Sequence, residues 1–343
     1  MIVACPAPHV DEGVVTLGHG SGGRLSQRLL DEIILPAFSS PELDRRDDQA
    51  QLSLGPGRVA FTTDSFVVTP LFFPGGDIGK LAVHGTVNDL AMAGARPRFL
   101  SVSFILEEGL PLETLRRVVA SIRDAARACG VAIATGDTKV VGRGHADRLF
   151  VNTSGLGAVP EGVDLSCDRV RPGDVAIVSG TLADHGMAVL SAREDLGFGD
   201  ALASDTAPLH ELVAALLASG ADLRCLRDPT RGGLAASLSE IAARSGVGVE
   251  IDEAALPVRP EVRGACELLG LDPLFVANEG KFVAFCAPES EGRALAALRS
   301  HPLGRGAARV ARATPARGLS VRTSVGGRRA LDLPLADPLP RIC

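Results

Sequence analysis

The acids of this chain fall where a backbone can aim several of them at one target. Between Thr62 and Gly94 the sequence reads TTDSFVVTPLFFPGGDIGKLAVHGTVNDLAMAG, with carboxylates at Asp64, Asp77 and Asp89. Val59, Phe61 and Thr63 alternate with smaller residues, so Asp64 closes an apolar strand. Asp77 follows Pro74-Gly75-Gly76 and precedes Ile78, Leu81 and Ala82, the apolar spacing of a helix start. There it is an N-cap or a ligand with equal right. Lys80 stands one turn further on. Mg²⁺ is held by a few carboxylates, and its other positions go to water and phosphate oxygens. Acids where strands end and helices begin, with a lysine beside them, suit that chemistry. A fourth acid, Asp137, lies in Gly136-Asp137-Thr138-Lys139, just past a short apolar strand from Val131 to Ala134.

Other stretches carry weaker signals. Gly18-His19-Gly20-Ser21-Gly22-Gly23-Arg24 runs into an apolar pattern at Leu25, Leu29, Leu30 and Ile33. A glycine-rich turn entering a helix offers backbone N–H groups to phosphate. The Gly-Lys-Ser/Thr ending of a Walker A loop is missing. Asp228-Pro229-Thr230-Arg231-Gly232-Gly233 is a second such helix start, with Asp228 as ligand or cap. Glu279 sits in the tight turn Ala277-Asn278-Glu279-Gly280-Lys281 before the strand FVAFC, where an exposed, inert glutamate is the ordinary expectation. The chain finishes LDLPLADPLPRIC. Pro334, Pro338 and Pro340 favour an extended tether, and thirteen residues span at most roughly 43–47 Å. A terminal cysteine on such a tether is accessible, with about pH 8.5 for its ionisation and a few per cent thiolate at neutrality.

The elements that must position these residues alternate. Phe99 to Leu106 reads as a strand, and Leu115, Val118, Val119, Ile122, Ala125, Ala126 and Cys129 recur at helical spacing up to Gly130. Leu149 to Val159 is a further strand. A second unit starts near Asp168, with the strand VAIVSG, helices from Leu209 and after Gly233, and the strand VGVEID. The expected division is a glycine-rich segment 1–40, an α/β domain 41–160, a second 161–330 and a flexible tail 331–343. With 343 residues the chain is long enough for two domains. Net charge is −6, Trp and Tyr are lacking, and no basic tract occurs, which argues against nucleic acid. Mean hydropathy is +0.21, but charges interrupt every apolar run before membrane-spanning length. Seven scattered cysteines without a CxxC pair, and no signal peptide, read as a cytoplasmic protein with reduced thiols. The histidines, Cys5, Cys129, Cys167, Cys225, Cys266 and Cys286 read as surface or core.

Taken together, GHGSGGRLSQRLL, the TTDSF…GGDIGK…NDLA block, TGDTKVV, DPTRGGLA, ANEGK and the terminal PRIC resemble the HypE family of hydrogenase maturation factors. That family belongs to the PurM-like superfamily of ATP-using enzymes related to aminoimidazole ribonucleotide synthetase. The match runs from about residue 16 to the last, and PRIC is its most specific part. The resemblance implies two α/β domains, the first building a shared β-barrel in a homodimer, the second an α/β sandwich. It implies that a carbamoyltransferase, HypF, loads the thiol of Cys343 with a carbamoyl group. ATP-dependent dehydration then turns the thiocarboxamide into a thiocyanate, whose cyanide passes to iron on the HypC–HypD complex. Carried over residue by residue, Asp64, Asp77, Asp89 and Asp137 are expected to hold Mg²⁺. Gly22, Gly23, Lys80, Asn88, Gly136 and Asp137 are expected around ATP, with Glu279 as base and Lys139 beside it. Selenophosphate synthetase and thiamine monophosphate kinase are rivals within the superfamily, and a non-catalytic carrier is the rival outside enzymes; none of them explains both a terminal PRIC and an intact set of acids.

Overall fold

The computed structural model describes residues 13–20, 24–45, 50–335, 339 and 341–343. Two short helical pieces, α1 (Arg24–Leu29) and α2 (Leu35–Phe38), joined by a π turn, precede the first sheet. Its strands are β1 (Val59–Phe66), β4 (Arg96–Glu107), β5 (Ala132–Val141) and β6 (Leu149–Ala158), in the order β1-β6-β4-β5. Between β1 and β4 come a two-residue ribbon, β2 (Phe72–Phe73) with β3 (Gly76–Asp77), and α3 (Ile78–Met92). α4 (Leu112–Cys129) is the crossover that lets β5 run parallel to β4.

Period-two alternation decides what each face of this sheet meets. Phe66, Val102, Phe104, Leu106 and Val151 are buried in the core that α3 and α4 share. The opposite side of β1 and β4 leaves Val59, Phe61 and Ile105 exposed, Phe61 by 69%. The pairing of Ser103 with Asp137 and of Ile105 with Lys139 puts Asp137 and Lys139 on this open face. The sequence ends that strand at Ala134; it continues to Val141 because the polar alternation Asp137, Lys139 suits a face turned to solvent.

The second sheet has the order β13-β12-β9-β11-β7-β10-β8. Its strands are β7 (Val175–Val178), β8 (Leu223–Arg227), β9 (Gly248–Asp252), β10 (Val283–Cys286), β11 (Ala308–Thr314), β12 (Gly318–Arg322) and β13 (Arg328–Ala330). Every residue of β7 and β10 is buried, as an apolar run covered on both sides demands. Val178, Val283 and Phe285 meet α7 (Gly233–Ser245) on one side. Ile177, Ala284 and Cys286 meet α6 (His210–Ala218) and α9 (Glu291–Ser300) on the other. α5 (Asp184–Glu194) and α8 (Pro260–Leu269) lean on the first domain, so one core contains Leu81, Phe104, Met187, Val262 and Ile342 together. Cys129, Cys167, Cys225, Cys266 and Cys286 are buried without disulfides, as expected; Cys5 lies outside the described residues. No helix among the described residues is long and apolar enough to cross a membrane.

Candidate active site

Four carboxylates from both domains converge between the sheets. β1 presents Asp64 on its helix-facing side, and α3 presents Asp89, whose Oδ2 accepts from Thr62 Oγ1 at 2.7 Å. Asp228 follows β8, and Glu279 precedes β10. Their carboxyls are all raised, by burial first. Burial and the neighbouring Asp89 push Asp64 up to about 6, and burial with the same Asp89 pushes Asp228 up to about 7. Burial also raises Asp89, against the opposing pull of Thr62 and Arg227. Glu279 is held well above the carboxylate range by burial and by Asp228, Asp205, Asp64 and Asp89. It is only 3% exposed, and its Oε1 has no hydrogen-bond partner among the described residues. The expectation of an exposed turn glutamate is therefore corrected. A buried acceptor left unpaired amid like charges calls for a protonated carboxyl or a bound donor. Among the described residues no group of three or more His, Cys, Asp or Glu is placed to hold a metal ion by itself. Asp228 caps nothing: α7 begins after Gly232 without a side-chain cap.

The turn around Glu279 is fixed from several directions. Asp205 Oδ1 accepts the Glu279 N–H at 3.1 Å, and Asp205 Oδ2 lies 3.3 Å from Lys281 Nζ, both side chains being nearly buried. Gly280 admits this approach; a Cβ there would stand 1.8 Å from the Asp205 carbonyl oxygen. Asn278 accepts from the Ala183 N–H at 2.8 Å and donates to the carbonyls of Pro229 and Val276 at 2.9 and 3.0 Å. Asn88 ties the first domain to this turn. It donates to the carbonyls of Ala207 and Glu279 at 3.0 and 3.2 Å and accepts from the Leu209 N–H at 2.8 Å. Its amide is thereby satisfied and 2% exposed, which makes it a domain clamp and takes it away from the expected ATP contacts.

The C-terminus ends beside this cluster. Val67 N–H, just past β1, donates to the Cys343 carbonyl at 3.0 Å, and His185 Nε2 donates to the Ile342 carbonyl at 2.9 Å. His185 Nδ1 lies 2.8 Å from Ser204 Oγ, next in sequence to Asp205. Arg341 pairs with Asp147, and Leu339 and Ile342 are buried, Ile342 almost wholly. Burying an isoleucine contributes about 1.5–3 kcal/mol. The sequence treats 331–343 as a mobile tether; here its last residues are docked, because Leu339 and Ile342 supply apolar anchors between the prolines.

The remaining expected residues lie elsewhere in the chain. Asp77 is an N-cap: Oδ1 accepts from the N–H groups of Gly79 and Lys80 at 2.8 and 3.1 Å, and Ser121 Oγ donates to it at 2.6 Å. Lys80 shares with it an open groove beside Arg117, away from Asp64. Asp137 and Lys139 pair at 2.9 Å on the open face, opposite to the side of β1 that carries Asp64. Three strand spacings, roughly 14 Å, separate them from β1. One chain thus brings Asp64, Asp89, Glu279 and the tail together, and leaves Asp77, Lys80, Asp137 and Lys139 apart. A cavity of about 520 Å³ joins Gly136, Asp137 and Lys139 to His19 and Gly20, the described flank of the glycine-rich segment. Gly22 and Gly23 lie outside the described residues. Asp205 and His185 carry no sequence signal, since neither stands in a motif or at a cap.

Two sheet domains, the second leaning on the first through α5 and α8, with acids from both gathered at one place, define a class. Residues 46–159 match the N-terminal domain of AIR synthase related proteins, and residues 171–324 match the C-terminal domain. The chain is 54% identical to the carbamoyl dehydratase HypE of Azotobacter vinelandii over 333 residues, 96% of this chain and 98% of that one. A crystal structure of HypE in complex with ATP superposes with a TM-score of 0.92 at 49% identity, covering 96% of this chain and 99% of that one. A HypE–HypF complex structure gives 0.79 at 47% identity, covering 89% and 99%. The chain belongs to the HypE family.

Proposed function

We propose that the protein dehydrates a carbamoyl group carried on its own Cys343, using ATP, and so supplies cyanide for the iron of nickel–iron hydrogenase. The observation that carries this is the docking of the Cys343 terminus on Val67, three residues past Asp64, and on His185, which faces Asp205. The curated relatives are carbamoyl dehydratases, and one relative is known with ATP bound.

The carbamoyl thioester S–C(=O)–NH₂ cannot expel its oxygen as such. Transfer of the γ-phosphoryl group of ATP to that oxygen makes it a leaving group, releasing ADP. Loss of the nitrogen protons with departure of inorganic phosphate then leaves S–C≡N. Glu279 takes a proton from nitrogen; burial and its acidic neighbours raise its carboxyl, which strengthens its ionised form as a base. Asp64, Asp89 and Asp228 would hold Mg²⁺, which neutralises triphosphate charge during phosphoryl transfer. Their mutual repulsion fits a cation. The cavity that joins Gly20 to Asp137 and Lys139 is the reading for the nucleotide's other contacts.

Lys139 cannot reach Glu279 within one chain. We propose a homodimer in which a second copy covers the open face, over Phe61 and Ile105, with the Asp137–Lys139 pairs at the interface, so that any role of Lys139 in dehydration is exercised on the other chain's site. HypF is the partner for loading, as a relative's complex with HypF supports. The HypC–HypD complex is the acceptor, and cysteines without disulfides fit a cytoplasmic setting.

The test follows the mass of the C-terminal peptide. Incubation with the carbamoyltransferase and its substrates adds one carbamoyl group; fresh Mg-ATP then removes one water. A gain without the later loss leaves a carrier, and no gain at all removes Cys343 from the reaction.

A further inference from the structure

Three successive carbonyls of the tail are each met by a donor from the body of the protein. Arg193 Nη2 donates to the Arg341 carbonyl at 2.5 Å, His185 Nε2 to that of Ile342 at 2.9 Å, and the Val67 N–H to that of Cys343 at 3.0 Å. Both side chains stand on α5, and Arg193 is itself fixed by donating to the Thr69 carbonyl at 2.9 Å. Such grips act on main chain.

We propose that His185 and Arg193 form a seat that positions the tail, and with it Cys343, for dehydration at the acid cluster. This rests on the function proposed above. The Ile342 carbonyl only accepts, so His185 carries its proton on Nε2, and Nδ1 accepts from Ser204 Oγ–H. Ser204 Oγ in turn accepts the Thr206 N–H at 3.1 Å. The ring packs edge-on against Phe73 at 5.6 Å. Burial keeps the imidazole neutral, below its usual range, although Asp205 pulls the other way. Ser204 and Asp205 are adjacent, and Asp205 holds the backbone of Glu279, so seat and base hang on one loop. Gly186 lets α5 lie close to Val276; a Cβ there would stand 2.5 Å from Val276 Cγ1 and 3.2 Å from Leu339 Cδ1. The seat is a positioning device, since both side chains hold carbonyls of the tail.

Loading at a carbamoyltransferase needs the tail out, and dehydration needs it in. The full-length protein tests this with two readouts: the rate of iodoacetamide labelling of Cys343, and single-turnover dehydration of the preloaded protein. His185→Phe keeps a ring against Phe73 but removes the donor to Ile342. It should speed labelling and slow dehydration about tenfold each, the effect of one buried hydrogen bond, with loading unimpaired. His185→Gln, with an amide donor near the Nε2 position, should restore both toward wild type. Ile342→Ser, which removes the tail's apolar anchor and leaves both seat residues in place, should behave as His185→Phe, and an unchanged thermal melt shows that the body stays folded. Unchanged labelling and dehydration in both His185→Phe and Ile342→Ser overturn the seat. So does a loss of loading in step with dehydration, which marks a general defect. If the wild type itself never dehydrates, the proposed function falls, and labelling still decides whether the seat exists.

Discussion

Glu279 is ringed by Asp64, Asp89, Asp205 and Asp228, and it gains no hydrogen bond at Oε1 in return. As the base, its replacement by Gln should cut dehydration at least about 10²-fold while leaving carbamoyl loading intact. Because burial and the acidic neighbours already disfavour its charged form, the neutral isostere should leave Tm unchanged or raise it; single-turnover mass analysis and thermal melts check both. Normal dehydration by Glu279→Gln would remove it from the chemistry. The same acids give the protein a pH signature. Asp64 at about 6 and Asp228 at about 7 keep protons in the native state that unfolded carboxylates lose near pH ~4. The native state binds more protons across that window, so stability of the metal-free protein falls as pH rises from about 4 to 7. Mg²⁺ favours the ionised acids and should flatten the fall. A metal-free melting profile that is level across this window would contradict the cluster.

At the scale of elements, the site depends on loops that approach to contact. Gly280→Ala drives a Cβ into the Asp205 carbonyl oxygen and should cost about 1–3 kcal/mol, with loss of dehydration. Gly264→Ala lies on the exposed side of α8 with nothing within 4 Å and should stabilise by about 0.5–1 kcal/mol. Urea denaturation of the two variants distinguishes a crowded turn from a general intolerance of Ala. These elements were unequally legible in the sequence. α4 announced itself through its apolar stripe, and Gly130 stops it in the left-handed conformation as expected. β7 and β10 showed as short apolar runs. β5 was cut short because its outer half is polar, and a strand turned to solvent loses the apolar signal. Glycine, by contrast, reveals only that room is needed, and Gly280 shows its reason once Asp205 is in place.

At the scale of the molecule, the sequence singles out acids one by one but not their grouping. Four acids were expected on one metal, Asp64, Asp77, Asp89 and Asp137; of these Asp64 and Asp89 lie with Glu279, whereas Asp77 caps α3 and Asp137 faces away, because faces and caps are set by register that spacing alone does not encode. Asp205 and Asp228 complete the cluster from loops that only the packing of two domains brings together. The open face, with Val59, Phe61 and Ile105 exposed, is the surface of the proposed homodimer. Phe61→Glu should shift sedimentation to the monomer; a variant that stays dimeric would place the contact elsewhere. If Lys139 serves across that contact, co-expressed Glu279→Gln and Lys139→Ala chains should regain about a quarter of wild-type dehydration, from hybrids with one intact site. No recovery would confine both residues to one chain. The central claim is that ATP activates the carbamoyl oxygen carried on Cys343. Loading Cys343 with an ¹⁸O-labelled carbamoyl group and adding Mg-ATP tests it in one turnover, by mass analysis of the inorganic phosphate released. The account predicts one ¹⁸O in that phosphate for each thiocyanate formed. Unlabelled phosphate, with the ¹⁸O appearing in water or remaining on the tail, would contradict it.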